Sequence, residues 1–310
     1  MAQKTHFADR LIAAIQKKGT PICVGLDPRL ENIPAHITAK AMKEKGKTFE
    51  AAAQAILEFN KGIIDAVHDV VPAVKPQFAF YAPYGFAGVW AFEETCKYAH
   101  EQGLVVIADA KVNDIGSTAE AYANAFLGKV GLFGAETDAP FVCDALTVNP
   151  YLGTDGVKPF IDVCKKQGSG IFILVKTSNP SSGDLQDQIV CEQKLPAYEL
   201  MGHFVDSWGA DEIGKSGYSS IGAVVGATYP SQAAALRKLM PQTVFLVPGY
   251  GAQGGGAEDV KPCFNSDGLG AIVNSSRGII FAWEKEGDEK KFAEAARNAV
   301  EDMKQDLYAI

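Results

Sequence analysis

The sequence has no paired cysteine motif, no closely spaced histidines, no excess of positive charge and no long apolar run. Its six cysteines (positions 23, 96, 143, 164, 191 and 263) are widely scattered and form no CxxC pair. In a chain of this size that predicts reduced, buried thiols and a cytoplasmic home. The five histidines (6, 36, 68, 100 and 203) show no HxH or HxxxH spacing, which argues against a protein-held metal. A net charge of −8 argues against a nucleic-acid footprint and against anionic membrane surfaces. It leaves room for a small anionic substrate, because local basic residues can dominate a cleft. No apolar stretch approaches the roughly 18 residues of a membrane span. The N-terminus (MAQKTHFADRLIAAIQKK) lacks the apolar core of a signal peptide and predicts an amphipathic helix. No internal repeat or low-complexity tract interrupts the chain.

What is present is a regular alternation. A hydrophobic content of 47% and a charged content of 21% over 310 residues suit a globular protein with a sizeable core. Short apolar runs at about 21–27, 71–77, 104–111, 145–150, 170–178, 223–228, 244–249 and 271–276 read as strands, with helical patterns between most of them. Eight such units predict one closed (β/α)₈ barrel, a TIM barrel spanning 1–310, with the open doubly wound sheet as the competing arrangement. The barrel carries the extra N-terminal helix and two decorations. One is a polar stretch at 29–47; the other is a partly helical insertion after the fifth strand, at 179–222.

The third strand sets the chemistry. Residues 104–118 read LVVIADAKVNDIGST, an apolar run that ends in Asp109, Lys111 and Asp114. Strand alternation places Val105, Ile107, Asp109 and Lys111 on one face. Charges beside a buried strand are costly unless they pair or do chemistry. A lysine between two carboxylates stays protonated, a proton donor beside concentrated negative charge. A structural ion pair capping the strand accounts for this stretch equally well. Other strand ends tip the balance: Asp27 ends the first strand, Lys75 the second and Ser178 the fifth, and Arg277 follows the eighth. In a barrel all these ends meet at the C-terminal rim, where active sites lie. The loops GYGAQGGG (249–256) and SSRG (275–278) follow strands seven and eight, the usual phosphate-binding loops of such barrels. Their glycines let backbone N–H groups approach an anion, Arg277 can grip it with two parallel hydrogen bonds, and Gln253 can add an amide donor. Lys176 shares parity with Ser178 and is a candidate Schiff-base lysine at the same rim. The tryptophans, and the aromatic run Phe78, Phe80, Tyr81 and Tyr84, read as packing.

The segment DAKVNDIGST (109–118) resembles the DxKxxDI signature of the orotidine 5'-phosphate decarboxylase family. GLDPR (25–29), VKPQFAFY (74–81), TSNPSS (177–182), PGYGAQGG (248–255) and NSSRG (274–278) extend the resemblance, in order, to the longer bacterial branch of that family. The resemblance implies cofactor-free decarboxylation of orotidine 5'-phosphate (OMP) to UMP, with Lys75, Asp109, Lys111 and Asp114 as an alternating charged network and Lys111 as proton donor. It implies a homodimer in which Asp114, Ile115 and Thr118 enter the partner's site. Asp27 would hold a ribose hydroxyl and Ser178 the pyrimidine amide. Gln253 and Arg277, with Gly278 beside them, would hold the phosphate, and Tyr250 would be a loop contact. It assigns no role to 179–222. Hexulose-phosphate synthases and ketogulonate-phosphate decarboxylases share the signature but hold Mg²⁺ with a glutamate where this chain has Lys75, and an ammonium there repels the ion. A catalytically silent nucleotide binder is the other rival, and it gains nothing from a carboxylate facing an anionic ligand.

Overall fold

A helix closes the floor of the molecule before any strand begins. In the computed structural model, which describes residues 5–251 and 253–308, helix Phe7–Lys18 buries Phe7, Ala8, Leu11, Ile12 and Ile15. These side chains join Cys23, Ala73, Val105, Ile107, Ala145, Phe172, Val244 and Ile272 in one apolar cluster, the inside of a barrel. Phe7 meets Phe172 edge-on with ring centroids 5.9 Å apart. A Cβ on Gly170 would fall 2.1 Å from the Phe7 ring, so glycine there is what lets the helix seat itself. Each large apolar side chain buried in this way stabilises the fold by about 1.5–3 kcal/mol. The helix ends on Gly19 in the left-handed conformation (φ 61°), with basic Lys17 and Lys18 in its last turn. Residues 1–4 of the predicted N-terminal helix lie outside the described residues.

Among the described residues twelve strands follow: β1 (Ile22–Leu26), β2 (Ala73–Pro76), β3 (Val105–Val112), β4 (Lys129–Leu132), β5 (Ala135–Asp138), β6 (Ala145–Val148), β7 (Gly170–Lys176), β8 (Ile189–Val190), β9 (Leu195–Pro196), β10 (Ser219–Val225), β11 (Thr243–Val247) and β12 (Ala271–Ser275). Eight of them close a barrel in the order β1-β12-β11-β10-β7-β6-β3-β2. Every barrel pairing is parallel, and β1 is clasped between β12 (Cys23 opposite Asn274) and β2 (Gly25 opposite Lys75). Strands covered on both faces read as near-continuous apolar runs, which is why the sequence announces them. Val106, Ala108, Leu146, Ile171, Ile173 and Phe245 point outward into a second cluster beneath the surrounding helices. The two antiparallel hairpins, β4–β5 and β8–β9, stand outside the barrel. Among the described residues no helix is long and apolar enough to cross a membrane.

The eight-stranded barrel and its N-terminal helix match the expectation, with local differences. The stretch 29–47 contains helix Ala35–Lys45, which buries only Ile37 and Ala41 and so leaves a thin periodic signal. The sixth barrel strand starts at Ser219, four residues before the apolar run suggests. Buried Ser219 donates to Gly209 O at 2.9 Å, and Ser220 bonds His6, so polar residues sit satisfied within a strand. All six cysteines are free, but Cys191 is exposed rather than buried.

Candidate active site

At the C-terminal end of the barrel the strands open into a cleft of about 980 Å³. Every barrel strand, or the residue just beyond it, contributes a side chain: Asp27, Lys75, Asp109 with Lys111, Thr147, Leu174, Val224, Leu246 and Asn274. The floor is organised on one carboxylate. Asp109 is 6% exposed and accepts from four donors. Its Oδ2 takes Lys75 Nζ at 2.5 Å and Gln77 Nε2 at 2.9 Å. Its Oδ1 takes Lys111 Nζ at 2.5 Å and Thr147 Oγ1 at 2.9 Å.

Electrostatics follow from that arrangement. Burial alone would push the Asp109 carboxyl up, but Lys75 and Lys111 outweigh it and hold it well below the usual carboxylate range. Burial alone would pull Lys75 down, yet Asp109 and Asp27 hold its ammonium above the ordinary lysine value. Asp27 behaves differently. Burial raises it despite nearby Lys75, and its Oδ1 has no hydrogen-bond partner among the described residues. An orphaned acceptor facing a cleft is a place for a ligand donor.

Local backbone devices set these side chains. Lys111 adopts a left-handed conformation (φ 48°), and the pairing of β3 with β6 slips between Ala108 and Val112. Lys111 nonetheless stays on the cleft face that alternation gives it, with its ammonium on Asp109, and strand irregularities of this kind are common beside active sites. Thr147 braces the strained residue: its Oγ1 accepts from Lys111 N at 2.9 Å while donating to Asp109. At the rim, a Cβ on Gly226 would come within 2.8 Å of the Ser178 backbone, and Thr228 Oγ1 donates to Ser178 O at 3.1 Å. The loop after β11 turns through Gly249, Gly251 and Gly254, all at positive φ, with Gly251 N donating to Gly255 O at 2.7 Å. Tyr250 is tied by its hydroxyl to Asp306 of helix Phe292–Tyr308; burial first, and Asp306 second, push its phenol up. Ala252 of the predicted loop lies outside the described residues.

The cleft thus brings together Asp27, Lys75, Asp109, Lys111, Ser178, Tyr250, Gln253 and Arg277. Asp114, Ile115, Thr118 and Gly278 do not line it. Asp114 Oδ1 accepts from Ile115 N at 2.7 Å at the head of helix Gly116–Leu127, and Ile115 is 52% exposed. Lys176 is a correction. It is fully buried, bonded to Ser182 and Asp187, and turned away from the cleft, so it is no candidate for a Schiff base there. Sequence reasoning missed Gln77, Thr147, Asn274, Ser276 and Tyr229 as lining residues. Strand parity offered a signal for two of them: Gln77 lies two residues past Lys75, and Thr147 is the one polar residue of the ALTV run.

Comparisons with known proteins show which chains this one is similar to. A family model described as "Orotidine 5'-phosphate decarboxylase / HUMPS family" matches residues 20–292. The chain is 47% identical over 307 residues to the orotidine 5'-phosphate decarboxylase of Rhodopirellula baltica, covering 97% of this chain and 98% of that one. It is 44% identical over 279 residues to the enzyme of the same name from Caldicellulosiruptor bescii, covering 90% of each. Among solved structures, the Leishmania donovani OMP decarboxylase superposes with a TM-score of 0.73 at 28% identity, covering 98% of each chain.

Proposed function

The chain belongs to the orotidine 5'-phosphate decarboxylase / HUMPS family, and from that premise we propose that it is an orotidine 5'-phosphate decarboxylase. On this reading it is a carboxy-lyase of pyrimidine biosynthesis that converts OMP to UMP and CO₂ without a cofactor. It works in the cytoplasm as a homodimer with one barrel domain per chain. The observation that carries the reading is the buried Asp109 carboxylate held between Lys75 and Lys111 on the cleft floor. A binder of anionic nucleotides has no use for a fixed negative charge there. A decarboxylase does.

Loss of CO₂ from C6 of the pyrimidine leaves its bonding electron pair on a carbon with no carbonyl placed to delocalise it. Asp109 stays charged because both lysines hold it so, and it faces the scissile carboxylate in the ground state. As CO₂ departs that repulsion is relieved, and the Lys111 ammonium faces the developing carbanion. Lys111 then gives its proton to C6, forming UMP, and regains one from solvent. Lys75 holds Asp109 in place, and Asp114 of the second subunit completes the alternation. Asp27, with its unpartnered Oδ1, takes a ribose hydroxyl, and Ile115 and Thr118 of the second subunit enter the same site. Ser178 reads the pyrimidine amide. Gln253 and Arg277, the Gly278 backbone and the Tyr250 loop take the phosphate, whose binding energy helps hold the strained complex.

The test is the fall in orotidylate absorbance with purified protein, with and without EDTA. Turnover to UMP unaffected by EDTA is the expected result. Turnover only of sugar phosphates with Mg²⁺, or nucleotide binding without CO₂ release, overturns the reading. Thr147→Val removes one hydroxyl that both braces Lys111 and donates to Asp109, at nearly constant volume. It is expected to lower kcat by about tenfold, the worth of one such hydrogen bond, with KM little changed. Steady-state kinetics beside Thr147→Ser, which keeps the hydroxyl, check this.

A further inference from the structure

Behind one wall of the cleft lies a buried cation that the chemistry does not use. Lys176 ends β7 and its side chain is 0% exposed. Leu174, two residues earlier, lines the cleft, but the pairing of β7 with β10 slips between Val224 and Val225, and Lys176 faces the insertion instead. Its Nζ donates to Asp187 Oδ1 at 2.7 Å and to Ser182 Oγ at 3.1 Å. It also lies 4.2 Å from the centroid of the Tyr229 ring and 5.8 Å from that of Tyr198. These partners come from separate pieces of chain: the turn Pro180–Ser182, the end of helix Gly183–Gln186, helix Ala197–Gly209 and the loop after β10. A buried ammonium is costly unless several groups converge on it, so the pieces are held together around it.

The other side of those pieces is the cleft wall. Thr177, Ser178, Asn179, Pro180, Gln186 and Tyr229 all line the cavity. Gln186 closes the segment on itself, accepting from Thr177 N at 2.9 Å and donating to Thr177 Oγ1 at 2.8 Å. Tyr229 Oη donates to Asn179 O at 3.2 Å. We propose that Lys176 is a positioning residue: it pins segment 177–187 and Tyr229 as one wall of the cleft, so that Ser178 is presented to the nucleotide base. The first part of the insertion is thereby a substrate-binding element. The presentation of the base rests on the decarboxylase reading; the pinning of the wall does not.

Two readouts separate these. Lys176→Met is expected to raise KM for OMP by about tenfold while kcat stays within about threefold, because the Asp109 network is untouched. A merely structural role would lower the amount of active enzyme and leave KM alone. Independently of any substrate, amide hydrogen exchange at Thr177 and through 177–187 should accelerate by about tenfold or more, with the barrel strands unchanged. Should Lys176→Met fail to fold, Asp187→Asn removes the half-exposed counterion and is expected to shift KM and exchange in the same directions by a few-fold. Wild-type KM together with wild-type protection of 177–187 in a folded variant overturns the proposal. Failure of the wild-type protein to decarboxylate OMP falls on the functional reading alone, since exchange still reports the pinning.

Discussion

Lys111→Ala is expected to abolish decarboxylation of OMP, by at least about 10⁴-fold in kcat, while UMP affinity stays within a few-fold of wild type. The size follows from two losses at one atom. Removal of the ammonium takes away the proton donor for C6, and it takes away the positive charge that faces the carbanion before the proton moves. The variant should still fold. The Lys111 side chain is 44% exposed, and Asp109 keeps Lys75, Gln77 and Thr147. UMP has no carboxylate to face Asp109, so its binding depends on contacts elsewhere in the cleft. Single-turnover assays on OMP and calorimetric titration with UMP check both halves. Near-normal turnover would sink the assignment of Lys111 as donor, and lost UMP binding would mean that its role extends to holding the nucleotide.

The barrel was legible because its strands are buried on both faces, so that ICVGL, ALTV and TVFLV stand out as apolar runs. The charged site was legible for the opposite reason: Asp27, Lys75, Asp109, Lys111 and Arg277 are expensive residues at the ends of such runs. Neutral partners carried no comparable signal. Gln77 and Thr147 are ordinary residues in sequence, and only the closed barrel shows both reaching Asp109. Lys176 shows the limit of strand parity, which holds for Lys111. Both lie at a slip in pairing with a strand far away in sequence, and only Lys176 leaves the face that parity gives it. Lys111 stays beside the cleft carboxylate, whereas Lys176 lies behind the wall. Asp114, Ile115 and Thr118 were singled out by a motif, and in one chain they do not line its own cleft. A motif names such residues without saying whose site they serve.

Lys75→Met should cost stability and turnover together, and pH should separate the two effects. In the folded protein the Asp109 carboxyl is depressed, so its contribution to stability is present above the unfolded value of about 3.9 and is lost as pH falls through the folded value. Lys75 is raised, so its contribution is complete below about 10.4 and is lost as pH rises through its folded value. Between those limits the pair is fully charged and nearly sealed from water, with Lys75 4% and Asp109 6% exposed. Methionine keeps the length of the side chain but leaves a buried carboxylate with the half-exposed Lys111 as its remaining cation. Breaking a buried pair from one side costs about 3–5 kcal/mol, and Lys111 keeps the expected loss at pH 7 near the lower end, about 3 kcal/mol. Burial then drives the carboxyl upward, so the deficit should shrink toward pH 5 as Asp109 takes up a proton. Urea unfolding at both pH values measures this. Adding Asp109→Asn removes the stranded charge and should restore most of the stability without restoring turnover, since the repelling carboxylate is then gone as well. A single variant as stable as wild type at pH 7 would show that water or Lys111 already neutralises Asp109. A double variant with wild-type kcat would show that the carboxylate stabilises the barrel floor and takes no part in expelling CO₂.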